Sequence, residues 1–147
     1  MEELGDKRGI GNSFRLIGTI YMYQHNYSDA LKNQFATLKI MEELRNKQGI
    51  ASTYNIIGVI YMYQENYPDA LKNHYSSLKI MEEIGNKQGI ASSNNNIGII
   101  YSKQGKYSDA LNYYFTSLKT KEELGDKEGI ATSYINLGVT NIEIKKL

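Results

Sequence analysis

Residues 41–80 read MEELRNKQGI ASTYNIIGVI YMYQENYPDA LKNHYSSLKI, and the chain returns to this stretch on both sides of it. MEELGDKRGI opens the sequence at 1, MEEIGNKQGI follows at 81 and KEELGDKEGI at 121. Aligned without gaps, residues 1–40 match residues 41–80 at 24 of 40 positions, and residues 81–120 match them at 23 of 40. A fixed period of this size is the mark of one supersecondary unit stacked on copies of itself. The fourth copy ends at Leu147, so the chain holds three full periods and part of another.

Each period carries two apolar stripes at helical spacing. Ile10, Phe14, Ile17 and Tyr21 fall on one face of a helix, and the stripe recurs as Ile50, Tyr54, Ile57 and Tyr61. In the third copy it reads Ile90, Asn94, Ile97 and Tyr101, with one polar interruption. Leu31, Phe35 and Leu38, with Ala30 and Met41 beside them, mark a second helix. Every period is therefore a helical hairpin. Asp6, Asn46, Asn86 and Asp126 are placed to accept from free N–H groups at the start of the first helix. Gly5, Gly85 and Gly125 before them suit a left-handed helix end, a pattern that Arg45 breaks at some cost. Ser28 and Ser108 are expected to cap the second helix, and Pro68 at the matching position fits a first turn. These signals predict helices over 7–23, 28–44, 47–63, 68–84, 87–103, 108–124 and 127–145, with 1–6 as the remnant of a preceding helix. The repeats are then 7–46, 47–86 and 87–126, and 127–147 is a partial fourth or capping helix in a single array.

Composition narrows the chemistry. Seventeen Lys+Arg against sixteen Asp+Glu leave a net charge of +1, which supplies no electrostatic reason to expect nucleic acid. Without cysteine there is no disulfide framework, thiolate metal site or cysteine nucleophile. No apolar run approaches the ~18 residues of a membrane span, and the N-terminus is too polar for a signal peptide, so a cytoplasmic protein is expected. The only histidines, His25 and His74, occupy different repeat positions and read as surface residues. Lys39 with Glu43, Lys79 with Glu83 and Lys119 with Glu123 read as i, i+4 pairs on a solvated face. The strings KRGIGNS and KQGIAS lack the spacing of phosphate-binding loops. No enzyme, cofactor or metal is expected.

The periods resemble the tetratricopeptide repeat, with its aromatic, Leu-Gly, Tyr, Gly-x-Tyr, Ala and Leu at fixed offsets. The first copy has Phe14, Ile17-Gly18, Tyr21, Tyr27, Ala30 and Leu38; the second has Tyr54, Ile57-Gly58, Tyr61, Tyr67, Ala70 and Leu78. The third has Ile97-Gly98, Tyr101, Gly105, Tyr107, Ala110, Tyr114 and Leu118, and the fourth keeps Tyr134 and Leu137-Gly138. The resemblance is to a long-repeat variant, with the KIMEEL stretch lengthening the second helix beyond the commoner period of about thirty-four residues. It implies an all-α, right-handed superhelix of about seven helices whose hairpins stack into a solenoid. At its C-terminal end Asn141, Glu143, Lys145 and Lys146 resemble a polar capping helix, whereas the N-terminal end looks like a cut through a longer array.

The resemblance also implies that the first helix of each repeat lines a concave groove. The groove positions are Asn12, Arg15, Leu16, Thr19, Met22 and Tyr23, then Ser52, Asn55, Ile56, Val59, Met62 and Tyr63. The third copy supplies Ser92, Asn95, Asn96, Ile99, Ser102 and Lys103, and the fourth Thr132, Ile135, Asn136, Val139, Ile142 and Glu143. Soft Met beside Tyr suits protein recognition, and a ladder of Asn amides can grip an extended backbone. For Asn96 and Asn136 the alternative is a bond to the adjacent helix; for Met22 and Met62 it is packing between repeats. A clamp for a terminal carboxylate is disfavoured, because Arg15 and Lys103 are the groove's only cations and stand far apart. The expected partner is a peptide or protein segment, with no nucleic acid and no membrane. The alternatives are homo-association through open repeat ends, or a regulatory part of a larger bacterial signalling protein.

Overall fold

The structure, a computed structural model, describes residues 2–147, leaving aside the side chains of Glu2 and Leu4. Seven helices follow one another among the described residues: α1 (Glu2–Tyr23), α2 (Tyr27–Glu43), α3 (Lys47–Tyr63), α4 (Tyr67–Glu83), α5 (Lys87–Lys103), α6 (Tyr107–Leu124) and α7 (Lys127–Lys145). This is the all-α hairpin architecture that the period predicts. The chain divides into two compact units, Met1–Ile80 and Met81–Leu147, each taken by itself below.

The first-type helices α3, α5 and α7 begin where the caps were placed. Asn46, Asn86 and Asp126 each accept from the N–H of the glycine three residues on, at 2.9 Å. Such a cap contributes about 1 kcal/mol. α1 departs from the expectation: it runs unbroken through Gly5 and Asp6, so Asp6 caps nothing and no helix start separates residues 2–6 from residue 7. Extending a helix that already exists needs no new nucleus. Met1, the first residue of the expected remnant, lies outside the described residues.

The second-type helices start one residue earlier than Ser28 and Ser108 suggest. Asn26, not Ser28, caps α2 by accepting from the Asp29 N–H, and it donates in return to the Asp29 carboxylate at 2.7 Å. Asn66 and Asp69 repeat this exchange. α6 follows Lys106, whose side chain makes no cap bond. Arg45 adopts a positive φ of 52°, in the left-handed region that Gly85 at 66° and Gly125 at 67° occupy at no steric cost. His25 and Glu65 do the same in the turn inside the hairpin, where the third copy has Gly105.

In unit 1, α2 packs on both α1 and α3. Met22, Ala30 and Ile60 form its buried cluster, with Tyr21, Tyr27, Leu31, Ile56 and Val59 against it. Buried polar side chains of α2 tie it to the α1 backbone: Gln34 donates to the Arg15 carbonyl at 3.1 Å and Thr37 to the Gly11 carbonyl at 3.3 Å. In unit 2, α6 packs on α5 and α7 around Ala110, Tyr114, Leu118 and Leu137. Ser117 repeats the Thr37 bond, donating to the Ala91 carbonyl at 2.8 Å.

The small residues on the first-type helices have identifiable occupants. A Cβ on Gly18 would lie 2.8 Å from Gln34, on Gly58 2.8 Å from the His74 ring, and on Gly98 2.7 Å from Tyr114. One repeat position therefore fills one notch three times with three different side chains. At Gly138 of α7 the same notch meets nothing within 4 Å. α7 is correspondingly not the polar cap its tail suggests: Tyr134, Ile135, Val139 and Ile142 are all more than half exposed. Glu143 and the lysines occupy the last turn only, while Ile135, Val139 and Ile142 share one face at i, i+4 and i+7.

Two charged pairs link the two helices of a hairpin. Glu43 meets Lys7 at 3.6 Å, and Glu123 meets Lys87 at 2.9 Å. The hydrogen bond from Lys87 holds the Glu123 carboxyl below its ordinary range, with Lys119 only a minor influence.

Candidate binding surface

The predicted groove positions lie on first-type helices, which touch within each unit: α1 with α3, and α5 with α7. In unit 1 the two helices flank a cleft of about 390 Å³. Arg8, Asn12 and Arg15 come from α1, Gln48, Gly49, Ser52 and Thr53 from α3, and Met41 and Asn46 close it. Two groove positions named from the sequence, Asn12 and Ser52, therefore face each other with Arg15 beside them. Sequence reasoning missed Arg8. It lies one turn before Asn12, at the i, i+4, i+7 spacing that joins it to Asn12 and Arg15.

The remaining positions in unit 1 divide between surface and framework. Tyr23 is 75% exposed and Tyr63 54%, and Tyr63 stacks on Tyr27 at 6.3 Å between ring centroids. Stacking holds the Tyr63 ring in place before anything binds to it. Met62 is half-buried. Met22 is buried with Ala30 and Ile60, so it serves the packing between repeats rather than an open groove. Val59 packs against the same cluster. Thr19 donates to the Arg15 carbonyl at 2.9 Å within its own helix.

Asn55 is committed elsewhere. Its Oδ1 stands 2.8 Å from Nδ1 of His74, which is wholly buried in α4 and covers Gly58. This corrects the reading of His74 as a surface residue. Burial depresses its pKa to about 4, and Nε2 has no hydrogen-bond partner, so the ring is held neutral with its proton on Nδ1. His25, by contrast, is exposed in its turn, 2.9 Å from the Tyr27 hydroxyl.

In unit 2, Asn136 of α7 donates to Oδ1 of Asn95 on α5 at 3.0 Å. The amide ladder thus bonds partly to itself, as the alternative for Asn136 anticipates. Asn96 is half-buried and Lys103 exposed. Two titratable groups of this unit are drawn inside. Tyr114 over Gly98 has its pKa pushed up to about 12 by burial, against a hydrogen bond with Ser102. Lys121 takes the place of Met41 and Met81, donates to Ser133 at 3.1 Å and has its pKa lowered by burial. No group of three or more metal-ligating side chains occurs among the described residues, and no described helix is long and apolar enough to cross a membrane.

The tetratricopeptide repeat family model matches residues 49–123, just over half of the chain. The chain belongs to the tetratricopeptide repeat family. No curated protein sequence matches it. Solved structures match its fold closely at low identity. The crystal structure of BtubC from P. vanneervenii aligns with TM-score 0.81 and 18% identity, over 92% of this chain and 56% of that one. Aspartyl phosphate phosphatase F from Bacillus subtilis aligns with TM-score 0.88 and 16% identity, over 92% and 36%. The Rap conjugation gene regulator of the plasmid pLS20, in complex with the Phr* peptide, aligns with TM-score 0.79 and 18% identity, over 88% and 36%. The chain thus spans from about a third to just over half of the length of these structures.

Proposed function

We propose that the chain is a non-catalytic interaction scaffold which holds an extended peptide or protein segment along its first-type helices. In unit 1 the contacting residues are Arg15, Tyr23, Met62 and Tyr63, with Thr19, Met22, Asn55 and Val59 as the framework beneath them. In unit 2 they are Asn95, Asn96, Lys103 and Asn136. One observation carries the reading: α1 and α3 flank an open cleft whose lining changes from copy to copy, Arg15 becoming Asn55, while the close-approach residues Gly18 and Ala30 recur unchanged as Gly58 and Ala70 and as Gly98 and Ala110. Framework that repeats and surface that varies is what a receptor built from copies requires. A rigid groove also loses little entropy when a flexible segment orders against it. The pLS20 regulator, solved with a peptide, supports the reading to the extent that an array of this fold can seat one. A single array over residues 1–147 acting in the cytoplasm, either alone or as part of a larger signalling protein, belongs to the same proposal.

The test is a random peptide library selected on the purified chain, followed by affinities for the Tyr23→Ala, Tyr63→Ala double variant. Loss of about 2 kcal/mol is expected for two exposed aromatic anchors. Unchanged affinity would place the ligand on another surface. Asn55 is unsuitable for this purpose, since its removal strands the buried His74 ring.

A second reading is self-association through the array ends. It is favoured by the apolar exposure of Ile10, Ile17 and Ile20 on α1 and of Tyr134, Val139 and Ile142 on α7. Light scattering over a concentration series separates the two: a mass that stays monomeric at every concentration removes self-association.

A further inference from the structure

We infer that the α1–α3 cleft selects carboxylate side chains of the bound segment through Arg8 and Arg15. The inference rests on the groove reading and adds the chemistry of the partner.

Arg8, Asn12 and Arg15 lie on one face of α1, and Gln48 and Ser52 form the opposite wall. Among the described residues no Asp or Glu lines the cleft. Among the described residues neither arginine side chain has an acidic partner, although the neighbouring Lys7 is paired with Glu43. The two cations are therefore available, and they are peculiar to this copy. The Arg8 position becomes Gln48, Gln88 and Glu128 further along, and the Arg15 position becomes Asn55, Asn95 and Ile135. Framework does not explain them, because the fold repeats without them.

A guanidinium presents its donors in a planar fork that matches the two oxygens of a carboxylate. Half-burial of Arg15 in the wall reduces the water that competes for that contact. Seven helical residues separate the two arginines by about 10.5 Å along the axis. An extended segment places alternate side chains on one face about 7 Å apart, a mismatch that two long arginine side chains can span. Asn12 and Ser52 between them offer side-chain hydrogen bonds to the backbone of such a segment. The ligand class is thus a segment with acidic residues at alternate positions, read through side chains and not through a chain terminus.

The probe is a short peptide of alternating Glu and Ala, acetylated and amidated so that every carboxylate belongs to a side chain, with a Gln-for-Glu peptide as comparison. Fluorescence anisotropy should find the Glu peptide at least tenfold tighter, with the preference weakening as salt is raised. Arg8→Gln with Arg15→Gln should erase the preference, and Arg8→Lys with Arg15→Lys should keep part of it. Equal affinity for the two peptides, or a preference that survives the Gln substitutions, would overturn the inference. If in that case the Tyr23→Ala, Tyr63→Ala variant still weakens a library-selected peptide, the groove stands and only its acidic selectivity falls. If the Gln substitutions erase the preference while the tyrosine variant binds its selected peptide unchanged, the cleft stands and the longer groove falls.

Discussion

α1 and α3 carry the same apolar stripe forty residues apart, yet Ile57 and Ile60 of α3 are 0% exposed whereas Ile17 and Ile20 of α1 are 42% and 56% exposed. The difference is the hairpin in front of each helix. α3 has α1 and α2 to press against, and Ile60 closes on Met22 and Ala30, while that side of α1 stays open. A stripe in the sequence therefore specifies a face that can be buried, and the preceding repeat decides whether it is. In unit 2 the notch depends instead on the helix that follows: Gly98 of α5 is covered by Tyr114 of α6, whereas at Gly138 of α7 nothing lies within 4 Å.

Equivalent positions in different copies give direct ways to sharpen or break this contrast. The largest effect is expected from Ile57→Ala, which should cost about 4 kcal/mol in urea unfolding, against less than about 1 kcal/mol for Ile17→Ala. Equal losses would mean that the preceding hairpin does not create the core.

Next comes the notch position. His74 has a folded pKa of about 4, below its ordinary 6.5, so as pH falls the unfolded chain takes up the proton first. Its contribution is complete above pH 6.5 and is lost between 6.5 and 4, by about 3 kcal/mol. His74→Gln, which copies Gln34 of the first repeat, should remove that part of the acid sensitivity in melts from pH 7 to 4. An acid profile unchanged by the substitution would argue against a neutral, buried ring.

Smaller effects are expected where one copy departs from the others. Lys121→Met restores the residue found at positions 41 and 81, removes a desolvated charge and should stabilise by about 1 kcal/mol in urea unfolding. Arg45→Gly restores the residue at 85 and 125 to a backbone at φ 52° and should gain about 0.5 kcal/mol in the same measurement.

The hairpins were legible because their signals are local. Apolar spacing marks each helix, and Asn46, Asn86 and Asp126 announce three of the starts. Asp6 misleads because a cap works only where the chain actually turns, and α1 does not turn there. The candidate surface was legible only in part. Arg8 escapes because the repeat framework puts its first groove position at Asn12 in this copy, although i, i+4, i+7 spacing joins Arg8 to Asn12 and Arg15. His74 looked superficial because polarity outweighed register; positions 34, 74 and 114 share one register over Gly18, Gly58 and Gly98, and that alignment would have placed it inside. The pairing of Asn95 with Asn136 could not be read from either helix alone, since it depends on how α5 and α7 meet.

The most direct test of the central claim is amide hydrogen exchange of the chain with and without a library-selected peptide. The account predicts added protection in α1 and α3, with little change on the outer faces of α2 and α4. Protection confined to α2 and α4, with α1 and α3 exchanging as in the free chain, would contradict it.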